Sequence, residues 1–307
     1  MEAFMKFLMT IKNLLLVFLL LLMIPVYVSA ADSSAKEQAK EQAKEQEKEL
    51  KAKKEAITFY NQGNQNLKDG QKENAISNYS KAIELNPTLS DAYYFRGYIY
   101  SDMGKQDQAI SDFTKAIEIK PEYGEAYTRR GNIYYNNNKF DLAIADFSKA
   151  IEITPANKET YINRGYAYSN KKEFDLGVAD FNKALELDPQ SSMAYIGIGN
   201  LYVSKRKYDA AIESYNKAIE LDAASAKAYK FRGEAYNQKG DDDKAIADYS
   251  KAVELDPKDG DAYLSLAMIY YVKEDFQKAW DDARKAKDLG ADVDQAVYDE
   301  FKSSAGK

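Results

Sequence analysis

One interval governs this chain. Arg-Gly, or its Gly alone, returns every 34 residues, at Gly63, Arg96-Gly97, Arg130-Gly131, Arg164-Gly165, Gly199 and Arg232-Gly233. A strict period of that length describes small units stacked in an array, each unable to bury its apolar side alone and each covered by the next. Five of the six prolines keep the same phase: Pro87, Pro121, Pro155, Pro189 and Pro257. With the proline placed at position 32, seven units begin at Ala56, Ser90, Gly124, Lys158, Ser192, Ala226 and Gly260, and no insertion breaks the register.

Within a unit the apolar positions are three or four apart, which marks helices rather than strands. Position 4 is Phe59, then Tyr93, Tyr127, Tyr161, Tyr195, Tyr229 and Tyr263, and position 11 is tyrosine in every unit but the first, which has Asn66. Position 20 is small throughout, position 24 is aromatic in six units and position 27 is alanine in the same six. Turn residues near positions 14 to 16 (Asp69-Gly70, Gly104, Asn136 to Lys139, Gly240-Asp241) separate the two helical stretches. Positions 4 and 27, like 11 and 20, lie equally far from that turn, so an antiparallel hairpin sets large side chains against small ones. On this reading Tyr127 and Tyr134 fill the hairpin interior.

These residues and this period closely resemble the tetratricopeptide repeat over residues 56 to 293. The resemblance implies an all-α fold, a right-handed superhelical solenoid of seven helix-turn-helix repeats at 56–89, 90–123, 124–157, 158–191, 192–225, 226–259 and 260–293. The last repeat departs from the pattern with Trp280, Ala283 and Leu289-Gly290. Val293, Val297 and Phe301 follow at intervals of four. Residues 294–307 therefore read as a capping helix and tail over the open end of the array.

A second regularity runs through the repeats. Position 7 is arginine where position 23 is aspartate: Arg96 with Asp112, Arg130 with Asp146, Arg164 with Asp180, Arg232 with Asp248. Where the arginine is missing the aspartate mostly goes too, as in Gln62 with Asn78 and Ile198 with Ser214; Leu266 with Asp282 is the exception. Hairpin geometry places the two positions opposite one another, so the covariation reads as a salt bridge inside the hairpin rather than a ligand site.

The chain has no cysteine and no histidine, which excludes disulfides, thiol nucleophiles, Ser-His-Asp triads and the common zinc sites. With no domain outside the repeats large enough for an active site, a non-catalytic protein without cofactor or metal is expected. Net charge is −6 and lysines alternate with carboxylates, so no basic stripe for nucleic acid exists. Asp241 to Asp243 lacks the glycine and glutamate of a calcium loop and falls in a hairpin turn.

The first residues carry an address. Lys6 and Lys12 precede an apolar run from Leu14 that ends in Val28-Ser29-Ala30, the form of a signal peptide (1–30) cut after Ala30. That predicts a periplasmic or secreted protein of an exported bacterial type. The alternative is an uncleaved anchor over residues 14–31, the only membrane contact expected. Residues 31–55 form a spacer rich in Lys, Glu and Gln, too poor in apolar residues for a coiled-coil seam, and about 36 Å long if fully helical.

The resemblance also implies where a ligand goes, because first helices line the concave face of such a solenoid. Positions 4, 11 and 24 account for 15 of the 25 tyrosines, so the rest need another explanation. Tyr60, Asn64, Tyr94, Phe95, Tyr98, Arg129, Asn132, Tyr135, Asn163, Tyr166, Asn200 and Phe231 fall on the implied face. Flat rings offer contact area and amides pair with a peptide backbone, so an extended peptide or partner protein is expected there. The carboxylate clamp of chaperone-binding family members is not reproduced: Asn64 and Arg129 match it, but Tyr60, Phe95 and Glu125 do not. A polysaccharide-binding or export accessory protein is the alternative, since rings with amides also suit sugars.

Overall fold

The computed structural model describes residues 33–306, and the segment expected to direct export, 1–30, lies outside them. The described helices fall into two compact units divided between Lys120 and Pro121. The first unit holds α1 (Ser33–Lys68), α2 (Lys72–Leu85), α3 (Ser90–Asp102) and α4 (Gln106–Ile119). The second holds five further hairpins: α5 (Gly124–Asn136) with α6 (Phe140–Ile153), α7 (Lys158–Asn170) with α8 (Phe174–Leu187), α9 (Ser192–Ser204) with α10 (Tyr208–Leu221), α11 (Ala226–Lys239) with α12 (Asp242–Leu255), and α13 (Gly260–Val272) with α14 (Phe276–Asp288). The last helix, α15, spans Gln295–Ala305. The protein is all-α, with two antiparallel helices for each 34-residue period.

Every hairpin turns in the same way. Position 15 is left-handed in all seven repeats: Gly70, Gly104 and Gly240 at φ 73°, 73° and 86°, and Asn138, Lys172, Arg206 and Glu274 at 57°, 62°, 55° and 63°. The following amide donates to the carbonyl of position 11, as Lys139 N does to Tyr134 O at 2.8 Å and Glu173 N to Tyr168 O at 2.9 Å. The paired bond from position 15, Asn138 N to Tyr135 O at 2.9 Å, completes a Schellman closure that satisfies carbonyls the first helix leaves open.

The large-into-small contact is deeper than the turn-symmetry pairing suggests. The ring at position 24 packs against the glycine at position 8. A Cβ on Gly199 would meet Tyr215 Cε1 at 2.4 Å, and one on Gly131 would meet Phe147 Cε1 at 2.7 Å. Tyr79, Phe113, Phe147, Phe181 and Tyr215 are almost wholly buried, and the alanines at positions 20 and 27 beside them have little or no exposure. The glycine that marks the period is therefore what lets the two backbones close on an aromatic ring.

The Arg–Asp pairs form, and they do more than join two helices of one hairpin. Arg164 donates from Nε and Nη2 to the two carboxylate oxygens of Asp180, both at 2.8 Å. Its Nη1 donates to Ser148 Oγ of the preceding hairpin at 3.0 Å. Arg96 does the same with Asp112 and Ser80, and Arg232 with Asp248 and Asn216. Each guanidinium is also flanked by the tyrosines at positions 4 and 11 of its own repeat, Arg164 lying 5.8 Å from the ring centres of Tyr161 and Tyr168. This corrects the sequence reading of Tyr127 and Tyr134: they are half-buried and flank Arg130 at 5.7 and 5.9 Å rather than filling the interior. Planar rings on a delocalised cation contribute attraction that a lysine would not exploit as well.

A second ladder repeats at the surface of the second unit. Lys171, Lys205, Lys239 and Lys273 each reach back to an aspartate of the preceding repeat, Asp141, Asp175, Asp209 and Asp243. These pairs are open to water, so each stabilises little.

The two ends are closed differently. The biased spacer and the first repeat helix are one continuous 36-residue helix, and Ala56, where the repeats begin, is fully buried. At the other end α15 lays Phe301, 2 % exposed, on Ala279 and Ala283, with Val297 and Tyr298 beside it. Asp294 caps this helix, accepting from Ala296 N and Val297 N, so Val293 lies ahead of it. Tyr298 packs on Trp280 at 5.0 Å.

Candidate functional site

In the second unit the first helices α5, α7, α9 and α11 bring positions 2, 6, 9, 12 and 13 to a common face. Asn132, Tyr135, Asn136, Asn163 and Tyr166 line one cavity of about 290 Å³. Tyr135 and Tyr166 continue into a second, of about 470 Å³, with Asn170, Met193, Asn200, Lys227 and Phe231. Amides join neighbouring repeats along this face: Asn163 Nδ2 donates to Asn132 Oδ1 at 3.0 Å, and Asn170 Nδ2 to Tyr135 Oη at 3.0 Å. Tyr166 Oη donates to Met193 O at 3.2 Å.

The rings are anchored from behind. Tyr166 meets Phe181 edge-on at 5.0 Å and Tyr135 meets Phe140 at 5.7 Å. Burial raises the Tyr166 hydroxyl well above the ordinary tyrosine range, so it stays a neutral donor at any physiological pH. Phe231 stacks on buried Tyr215 at 6.3 Å, and Arg129 is exposed on α5.

The first unit carries its share of the expected residues separately, and packs most of them on one another. Tyr60, Tyr79 and Phe95 form a ring cluster with centres 5.9 to 6.1 Å apart. Tyr94 meets Phe95 at 5.1 Å and Phe113 at 5.8 Å. Tyr60, Phe95 and Tyr98 belong to the rim of the core around Ala75, Tyr79 and Ile99. Burial raises Tyr60, against a lowering hydrogen bond from Asn64.

Two asparagines expected in the groove have structural work. Asn64 Oδ1 accepts from the hydroxyl of buried Tyr79 at 2.8 Å, and Asn200 Oδ1 accepts from Tyr215 at 2.7 Å. A buried hydroxyl without an acceptor would cost about 1 to 3 kcal/mol, so these amides are held by the core.

Family models for the tetratricopeptide repeat match residues 90–123 and 159–191, and 196–260 with 243–294; a TPR repeat model matches 63–104 and 131–172. This chain belongs to the tetratricopeptide repeat family. Its fold is similar to that of a tetratricopeptide repeat protein from Parabacteroides merdae, 19 % identical, covering 83 % of this chain and all of that one at a TM-score of 0.69. It is similar also to MamA from Desulfovibrio magneticus, 22 % identical over 56 % of this chain and 97 % of that one, TM-score 0.53. Yeast Tom70 matches at 22 % identity and TM-score 0.57, over 87 % of this chain and 56 % of that one. No curated protein matches the chain. As a tetratricopeptide repeat protein it is a protein–protein interaction scaffold, of a family that is generally non-catalytic.

Sequence reasoning passed over several groove residues of this repeat protein. Asn170, Met193 and Lys227 occupy positions 13 and 2 of the same face, and Met193 is 44 % exposed. Their positions in the repeat are the signal that marks them, since Met193 and Lys227 are neither aromatic nor amide and Asn170 lies at the very end of its helix. The pairing of Asn64 with Tyr79 and Asn200 with Tyr215 left only a weak sequence signal, since Asn132 at the same position stands with Phe147 and Tyr249 stands with Glu234.

Proposed function

We propose that this protein is an exported, non-catalytic scaffold of the bacterial cell envelope that holds an extended peptide segment of a partner protein along the first-helix face of its second unit. The observation that carries the reading is the row of Asn132, Asn163 and Asn170 beside Tyr135 and Tyr166, lining two adjoining cavities. Side-chain amides at successive repeats suit the donors and acceptors that an extended backbone presents along its length. Met193 and Lys227 add an apolar and a cationic contact for its side chains.

A polysaccharide fits less well. Sugar stacking needs open ring faces, and half-buried Tyr166 has its ring packed edge-on with Phe181 at 5.0 Å while its hydroxyl is spent on Met193 O.

The test is selection of peptides from a random library on the full chain, followed by titration calorimetry of a selected peptide. Asn163→Ala, Met193→Ala and Lys227→Ala should together weaken it by a factor of about 30 or more, equivalent to about 2 kcal/mol, while the melting curve moves little. Selected peptides that bind the triple variant as tightly as the parent would remove this face as the site.

A further inference from the structure

Repeat five breaks the arginine rule, and its cleft keeps the rest of what elsewhere holds a guanidinium. Ile198 and Ser214 stand where the other repeats have arginine and aspartate. The flanking tyrosines remain as Tyr195 and Tyr202. So does the polar side chain of the preceding repeat: Asn182 corresponds to Asn216, whose Oδ1 accepts from Arg232 Nη1 at 2.6 Å.

A cleft of about 510 Å³ opens at this place, lined by both tyrosines, Ile198, Ser214 and Asn182, with Glu213 at its rim. Isoleucine supplies only the beginning of an arginine stem. In repeat two, where Arg96 is present, the corresponding groove is nearly as large, about 490 Å³, but it is lined by Arg96 and Asp112 themselves and touches neither position 11 nor the preceding repeat, so the difference in repeat five lies in the lining rather than the volume.

The charge has been moved rather than lost. Ser214 spends its hydroxyl on Ala210 O at 2.9 Å, but the residue before it is Glu213. Position 22 is serine or alanine in every other repeat except the last, which has Asp281. Among the described residues neither Glu213 nor Asn182 makes a side-chain hydrogen bond or ion pair, and both are exposed. Lys217 and Glu220 also line the cleft and pair with each other at 2.7 Å, which neutralises that lysine and leaves Glu213 as the unpaired carboxylate.

We propose that the repeat-five cleft is a second binding site, independent of the peptide groove, that takes an arginine side chain of a partner protein. The guanidinium lies between Tyr195 and Tyr202, donates to Asn182 Oδ1 and pairs with Glu213, while the stem continues outward from Ile198. The four intrachain arginines show the geometry it reproduces. Two flanking rings and an amide acceptor fit a planar, delocalised cation, so lysine is the poorer ligand.

The probe is acetyl-Gly-Arg-Gly amide, titrated into the full chain with labelled tyrosine rings and followed by NMR, with acetyl-Gly-Lys-Gly amide in parallel. Saturable shifts of Tyr195 and Tyr202 are expected, at least threefold weaker for the lysine peptide. Glu213→Gln should weaken the arginine peptide at least threefold. Ile198→Arg with Ser214→Asp fills the seat from within and should abolish the shifts. If that double variant does not fold, Asn182→Ala and Glu213→Gln, both at exposed positions, decide the matter. Non-saturable shifts, equal shifts in the parent and these variants, or shifts confined to Tyr135 and Tyr166 would overturn the proposal. Loss of peptide binding in the groove variants leaves it standing.

Discussion

The arginine clamps should behave as coupled units, and repeat four gives the cleanest measurement. Arg164 and Asp180 are 18 % and 7 % exposed at the side chain, and the pair is bidentate. The hydrogen bonds that Arg164 donates to Asp180 raise its pKa against an opposing burial effect, so the carboxylate is what makes a half-buried cation tolerable. Asp180→Asn keeps the shape and removes the charge. Orphaning a buried charge costs about 3 to 5 kcal/mol. Here the guanidinium keeps Ser148, the faces of Tyr161 and Tyr168 and one amide oxygen, so about 2 to 3 kcal/mol is expected. Arg164→Ile should cost a similar amount, since it strands Asp180. The double variant Arg164→Ile with Asp180→Ser copies repeat five and should return to within about 1 kcal/mol of the parent, a coupling of about 2 kcal/mol or more. Urea melts by circular dichroism, fitted with a nearest-neighbour description of the repeats, give all four corners of the cycle. Single effects that add to within about 0.5 kcal/mol would show that the residues act separately and that the clamp is only a coincidence of position.

Two more outcomes follow from repeat seven, which kept its aspartate without the arginine. Burial, with a smaller push from Asp281 and a lowering pull from Lys278, holds Asp282 up at about 6. The folded state then binds that proton more tightly than the unfolded chain, so the associated stability is full below about pH 4 and lost as pH rises through 6. Asp282→Asn should therefore stabilise at pH 7 by about 1 to 2 kcal/mol after allowance for solvent screening, with the gain gone by pH 4; thermal melts across that range check it, and a pH-independent difference counts against it. Glu274 closes the same hairpin at φ 63°, and Glu274→Gly should raise stability by about 0.5 to 1 kcal/mol by removing left-handed strain, whereas an unchanged melting curve would mean the turn carries none.

The hairpins were legible because their determinants are local and repeated. A glycine at position 8, a ring at 24 and alanines at 20 and 27 identify both helices and the face each buries. The Arg–Asp pair was legible for the same reason, since both partners lie in one repeat and vary together. Its third arm was not. Arg164 is 16 residues from Asp180 and also 16 from Ser148, one ahead and one behind, so the same spacing crosses the repeat boundary where a repeat-by-repeat reading stops. The groove was legible as positions rather than as roles. Tyr60 and Phe95 lie on the expected face, but neighbouring aromatic rings draw them into the core rim. Asn200 lies there too, but a buried tyrosine hydroxyl claims it.

That division separates the framework tyrosines from the positions through which the proposed partner would be recognised. Tyrosines at positions 4 and 11 are committed to a guanidinium in four repeats, and those at position 24 to the hairpin interior, so they carry no specificity while the rule is kept. Specific recognition has to come from residues that differ between repeats. In the groove these are Asn132, Asn163, Met193 and Lys227, each set at one step of the period. In repeat five the difference is an absence, which turns two framework rings into a lined cleft and places Glu213 beside it. The regularity that stabilises the array is thus also the background against which each irregular position stands out, because stacking of the repeats fixes its backbone in place.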